Sequence, residues 1–124
     1  MPKFRAWLNI EKKFGGQEMC EVKGWDEEGL VMLYDAGDFN WDEVDVMQST
    51  GLKDKNGVEI YEGDILYFEP YETHFNDRVV EYIDGAYHGR LIINGYSKLL
   101  AECVYETKVI GNIYENPELL EVAE

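Results

Sequence analysis

Apolar residues recur along this chain at a spacing of two, in short runs interrupted by glycine-bearing polar turns, which is the pattern of half-buried β-strands. Phe4, Ala6 and Leu8 alternate with Arg5 and Trp7 and predict a first strand. Phe14-Gly15-Gly16 predicts a flexible turn. Glu18-Met19-Cys20-Glu21-Val22 then reads as a strand, with a helical turn as the alternative. Trp25-Asp26-Glu27-Glu28-Gly29 is a polar turn ahead of Leu30-Val31-Met32-Leu33-Tyr34, a continuous apolar run of strand length closed by Asp35-Ala36-Gly37-Asp38. Phe39 and Trp41 are expected to anchor the acidic stretch around them. Val44, Val46 and Gln48 alternate with Asp45 and Met47 and predict another strand.

The second half is read from its turns. Asn56-Gly57 predicts a type I′ hairpin joining Leu52-Lys53-Asp54 to Val58-Glu59-Ile60, since both residues tolerate positive φ. A corner follows at Tyr61-Glu62-Gly63-Asp64, then a buried strand at Ile65-Leu66-Tyr67-Phe68. Glu69 to Asp77 is a loop by composition. Arg78–Ile83 and Ala86–Ile93 are strands joined by Asp84-Gly85, with Gly89 a candidate bulge. Asn94-Gly95 predicts a third hairpin. Lys98 to Cys103 is a strand or a helical turn extended by Val104-Tyr105, and Lys108 to Tyr114 is the closing strand. Asn116, Pro117 and Glu118 predict a capped terminal helix whose Leu119, Leu120 and Val122 seal one end of the fold. The expected architecture is mostly β: a small SH3-like curled antiparallel barrel, an additional N-terminal β-sheet and a short C-terminal helix. The expected division is residues 1–49 and 50–124, as two subdomains or one compact unit.

Composition narrows the partners. The 124 residues hold 45% hydrophobic and 14% aromatic residues, enough for a core, and no fixed-period repeat or low-complexity segment. Eleven Lys and Arg against 26 Asp and Glu give a net charge of −15, which disfavours direct binding to nucleic-acid backbones and to anionic membranes. The imbalance is concentrated: Asp26, Glu27, Glu28, Asp35, Asp38, Asp42, Glu43 and Asp45 occur with no Lys or Arg among them. Such a stretch is a solubilising face, or a surface that imitates DNA or receives a basic partner. Cys20 and Cys103 stand far apart with no Cys or His at metal spacing, as expected of reduced thiols. With no apolar signal core and no run of the roughly 20 residues a membrane span needs, a soluble, cytoplasmic protein is expected.

Reactive chemistry finds little footing. Asp54-Lys55-Asn56-Gly57 opens like a calcium loop, but Val58, Glu59 and Ile65 stand where a ligand, a glycine and a closing glutamate are required. No Gly-x-Ser-x-Gly or phosphate-cradling glycine loop is present. His74, paired with Glu72 or Asp77, has the makings of a base without a nucleophile; His88 lies on a strand. No catalytic residue, metal ligand or cofactor is expected.

Met47-Gln48-Ser49-Thr50-Gly51-Leu52-Lys53-Asp54-Lys55-Asn56-Gly57, followed by Glu59-Ile60-Tyr61-Glu62-Gly63-Asp64-Ile65, resembles the signature of the YopX family. Lys3-Phe4-Arg5-Ala6-Trp7 and Val109-Ile110-Gly111-Asn112-Ile113-Tyr114-Glu115-Asn116-Pro117-Glu118-Leu119-Leu120 agree, so the resemblance brackets nearly the whole chain. Ser49 departs from it, where an aromatic residue is expected. The resemblance implies a phage or prophage setting in Gram-positive bacteria and self-assembly, and names no catalytic residue. Tyr61, Gly63, Asp64, Asn112 and Tyr114 lie in these blocks where turns meet strand ends, and form the expected interaction surface; their other reading is structural. The resulting expectation is a non-enzymatic accessory protein acting through protein contacts, with a protein partner or itself as a homo-oligomer. An acidic DNA mimic is the alternative, and a metal-dependent enzyme built on the acidic loop a third.

Overall fold

Strands dominate the structure, a computed structural model that describes residues 3–9, 18–68 and 74–121. The predicted turn at Phe14-Gly15-Gly16 and residues 69–73 of the predicted loop lie outside the described residues. The chain divides into two compact units, Met1–Gln48 and Ser49–Glu124.

The first unit is built from β1 (Phe4–Leu8), β2 (Glu18–Trp25), β3 (Leu30–Leu33), β4 (Gly37–Asn40) and the first half of β5 (Val44–Lys53), in the antiparallel order β4-β3-β2-β1-β5. The strand reading of Glu18–Val22 holds, and the strand runs on to Trp25. Its registers explain its core. Ala6 faces Cys20 across one ladder and Val46 across the other, and Leu8 faces Val44. Period-two alternation then brings Ala6, Leu8, Cys20, Val31, Leu33 and Val44 into one apolar cluster. Phe39 packs against that cluster, and Trp41, 45% exposed, lies against the Trp25 ring and the Gly29 turn.

In the second unit the far half of β5 pairs with β6 (Glu59–Tyr61). A second sheet follows from β7 (Asp64–Phe68), β8 (Arg78–Ile83), β9 (Ala86–Leu91), β10 (Ser97–Leu99) and β11 (Thr107–Asn112), ordered β10-β9-β8-β7-β11 and antiparallel throughout. Ile60, Leu66, Val80, Leu100 and Val104 form its core. The expected SH3-like closure is not seen. β10 and β11 stand at opposite ends of the strand order, and β10 is only three exposed residues long before the chain turns into a one-turn helix, α1 (Leu100–Cys103). An edge that short offers too few backbone groups to close a barrel.

Turn chemistry is correct in kind and mistaken in one detail. Asp84 and Gly85 both have positive φ, at 49° and 87°, the signature of the type I′ turn between Ile83 and Ala86. At Asn56-Gly57 only Gly57 is left-handed, so the expected type I′ hairpin is a longer turn closed by Gly57 N–H on the Asp54 carbonyl at 3.0 Å. The Asp54 side chain decides this, as described below. Gly89 is no bulge: it stands in register with Val80 and Lys98. It is a close approach, since a Cβ there would lie 3.0 Å from both Arg78 Cδ and Cys103 Sγ. The terminal segment Pro117–Leu120 is a 3₁₀ turn, with Leu119 and Leu120 half-buried and Val122 beyond the described residues. Asn116 makes no side-chain cap to it. Among the described residues no helix is long and apolar enough to cross a membrane.

Candidate functional site

The residues expected to form an interaction surface do come together, but mostly below the surface. Gly63 turns the corner between β6 and β7 at φ 88°, a conformation closed to most side chains. Its N–H bonds to the Val80 carbonyl at 2.8 Å, and its carbonyl accepts the Ile113 N–H at 3.0 Å. Asp64 is 1% exposed, and its Oδ2 accepts the Tyr61 N–H at 2.8 Å, bridging the corner from inside. Asn112 is the register partner of Asp64 on β11 and is 6% exposed. Its Oδ1 accepts the N–H groups of Tyr114 and Glu115 at 3.0 and 2.9 Å, while its Nδ2 donates to Glu115 Oε1 at 2.9 Å. Tyr61 and Tyr114 are half-buried. Backbone N–H groups freed where a strand ends need acceptors, and these side chains supply them.

The same logic reaches residues the sequence reading did not single out as a site. Asp54 is buried; its Oδ1 accepts from Asn56 and Val58 N–H at 2.8 and 2.9 Å, and its Oδ2 from Val109 N–H at 2.9 Å, tying the β5–β6 turn to β11. The carboxylate that opens the calcium-like sequence therefore faces its own backbone. Thr107, also buried, donates from Oγ1 to the Val104 carbonyl at 2.7 Å. Asn116 Oδ1 accepts the Asn112 N–H at 3.2 Å, and its side chain lies so close over Gly111 that a Cβ there would overlap Oδ1. The signal for this arrangement was the Asp-x-Asn-Gly turn and the Gly-Asn pair in the family-like blocks; the long-range acceptor role was not readable from spacing.

One buried carboxylate is different. Asp77 is 3% exposed; Oδ2 accepts from His74 Nδ1 at 2.8 Å, and Oδ1 is buried without a hydrogen bond. Burial pushes its pKa above the usual carboxylate value, against the opposing pull of His74. His74 is exposed and packs its ring on Tyr67 at 4.9 Å between centroids. This orients an imidazole, as a general base requires. Among the described residues, however, no group of three or more His, Cys, Asp or Glu is placed to hold a metal ion. His88 Nδ1 lies 3.1 Å from the Ala86 carbonyl on its own strand. Neither cysteine is in a disulfide; burial raises the Cys103 pKa, with Arg78 and Lys98 opposing, so the thiolate is disfavoured.

The first unit carries the acidic stretch. Three of its acids serve the fold: Asp26 Oδ1 accepts from Glu28 and Leu30 N–H, Glu43 Oε1 from the Asn40 N–H and side chain, and Asp45 Oδ2 from Asn9 Nδ2. Glu27, Glu28, Asp35, Asp38 and Asp42 are exposed. Phe4, Trp25 and Trp41 form an aromatic chain, with centroids 5.1 Å apart edge-on and then 5.7 Å apart at a tilt. A shallow, open depression elsewhere in the unit is lined by Glu18, Met19, Cys20, Glu21, Tyr34 and Asp35.

With this geometry in view, comparison with known proteins is decisive at the family level. The model of the YopX protein family matches residues 3–121. The chain belongs to the YopX family. It is similar to the crystal structure of protein EF1440 from Enterococcus faecalis, with 32% identity, a TM-score of 0.71, and coverage of 98% of this chain and 99% of that one. It shares the fold of the protein YopX from Bacillus subtilis, at 22% identity and a TM-score of 0.54, over 96% of this chain and 98% of that one. No curated protein sequence matches. The family match spans both the buried acceptors of the second unit and the aromatic chain of the first.

Proposed function

We propose that this YopX-family protein acts by binding another protein and catalyses no reaction, as an accessory factor of phage or prophage origin working in the cytoplasm of a Gram-positive host. The observation that carries this reading is a division of labour. Three polar residues of the family-like blocks, Asp54, Asp64 and Asn112, are buried and turned to the chain's own backbone, while Trp25 and Trp41 stand 46% and 45% exposed among acids. Buried acceptors satisfied by backbone N–H groups shape a fold; exposed indoles anchor contacts. The surface expected at Tyr61, Gly63, Asp64, Asn112 and Tyr114 narrows on this reading to its two tyrosines. Self-association is the second form such contact takes. Affinity capture with the tagged chain from infected cells, with light scattering of the purified protein, tests the reading. A stoichiometric protein partner or a mass above 14.4 kDa supports it. A monomer that captures nothing and turns over a substrate overturns it.

A specific observation favours the DNA-mimic alternative as well: the exposed carboxylates of Glu27, Glu28, Asp35, Asp38 and Asp42 occur with no cation between Lys23 and Lys53. A mimic's complex would be competed by duplex DNA and weaken steeply with salt. A complex indifferent to both removes that alternative.

A further inference from the structure

We propose that the Trp25–Trp41 face of the first unit docks an arginine-bearing basic segment of the partner. This deepens, and rests on, the protein-binding reading above. The face is preorganised. Phe4 meets Trp25 edge-on and Trp25 meets Trp41, so each ring limits its neighbour's freedom. The turn that follows Trp25 is held by Asp26 Oδ1, which accepts two backbone N–H groups at 3.0 and 2.9 Å. Gly29, at φ 91°, lets that turn lie against Trp41: a Cβ at Gly29 would stand 3.3 Å from Trp41 Cδ1. On the other side Trp41 opens a 3₁₀ turn secured by Glu43 Oε1, which accepts from both the N–H and the side-chain amide of Asn40. Rings fixed before binding lose little freedom on binding.

Charge selects the occupant. Glu27 and Glu28 follow Trp25 on the capped turn, Asp42 follows Trp41, and all three are exposed. Lys23, the nearest cation along the chain to Trp25, is placed over the Tyr34 ring at 5.8 Å, and Lys3 and Arg5 flank Phe4 at the far end of the ring chain from Trp41. Indole faces bordered by carboxylates suit a guanidinium, which stacks on an aromatic face while its planar fork meets carboxylate oxygens. A lysine ammonium makes only the weaker, point-like version of both contacts. A second copy of this chain, also at −15, brings the wrong sign of charge, as does nucleic acid.

The test uses the full chain and two end-blocked twelve-residue peptides, four repeats of Arg-Gly-Gly and four of Lys-Gly-Gly, followed by tryptophan emission and calorimetry at low salt. The arginine peptide is expected to bind with a change in emission, and the lysine peptide of equal charge about five-fold more weakly. Trp41→Ala should weaken arginine-peptide binding by about five- to ten-fold. The double variant Glu27→Gln/Asp42→Asn, which touches no core residue, should weaken it and flatten its salt dependence. Tyr105→Ala, at a residue 76% exposed in the second unit, should change nothing. Equal binding of both peptides, equal binding by the Trp41→Ala and parent chains, binding of duplex DNA in preference to either peptide, or no binding overturns the proposal. Capture of a partner that Trp41→Ala retains in full removes this face while leaving the protein-binding reading intact; failure of the parent chain to capture any partner removes the reading itself.

Discussion

The two units reach stability by different routes. Among the described residues, the first unit buries no polar residue whole, Arg5 only by its Nε, while the second buries Asp54, Asp64, Asp77, Thr107 and Asn112 beside its apolar core. The difference follows from strand geometry. In the first unit all five residues of β1 pair with β5 and four of them with β2, and the N–H groups left over at the Asp26 and Asn40 turns are met by carboxylates at exposed positions, so side chains inside are free to pack. In the second unit three-residue strands, corners and a bulge between Val109 and Gly111 interrupt the ladders. Backbone N–H groups left over at those breaks find side-chain oxygens instead. Irregular backbone thus calls for buried acceptors, and polar positions that resemble a site on paper are the fasteners of an irregular sheet.

Substitutions can break this contrast, beginning with the largest effect. Asp54→Ala removes the acceptor of three backbone N–H groups and should cost about 3–5 kcal/mol, read as a loss of urea stability or of folding. A loss below about 1 kcal/mol would show that water replaces the carboxylate and that the fasteners are dispensable. Leu8→Ala, in the apolar unit, should cost about 2–4 kcal/mol by leaving a cavity where the side chain is 0% exposed. Hydrogen exchange should place that loss in residues 4–48, a pattern that Asp54→Ala should not reproduce. Gly111→Ala should cost about 1–3 kcal/mol, because the added methyl overlaps Asn116 Oδ1. Combining it with Asn116→Ala should return part of that loss, and strict additivity would show that the overlap is relieved elsewhere.

The smallest effect concerns Asp77, the buried acid with one oxygen lacking a partner. Its folded-state pKa is raised chiefly by burial, so the folded chain holds this proton more tightly than the unfolded chain does. The penalty for burying the carboxylate is absent below the unfolded value of about 3.9, grows as pH rises toward the folded value, and is full above it. Asp77→Asn should therefore be the more stable protein at neutral pH, with its advantage vanishing below the unfolded value. Parallel urea titrations of the two proteins across that range check the sign. An Asn variant less stable at neutral pH would make the His74 hydrogen bond, and not burial, the stronger influence.

Alternation and turn residues made most of the strands legible: Phe4–Leu8, Leu30–Leu33, Arg78–Ile83 and the Asp84-Gly85 hairpin are local properties that steric preference dictates. The family was equally legible, because ordered blocks of side chains survive in the sequence itself. Which N–H finds an acceptor 55 positions away, as Val109 N–H finds Asp54 Oδ2, was decided by the tertiary structure alone. So was the openness of the second sheet, and so was the gathering of half-buried Phe4 with exposed Trp25 and Trp41 into one chain of rings. Sequence spacing records what neighbours along the backbone prefer, whereas an orphaned N–H takes whichever acceptor the folded chain brings within about 3 Å.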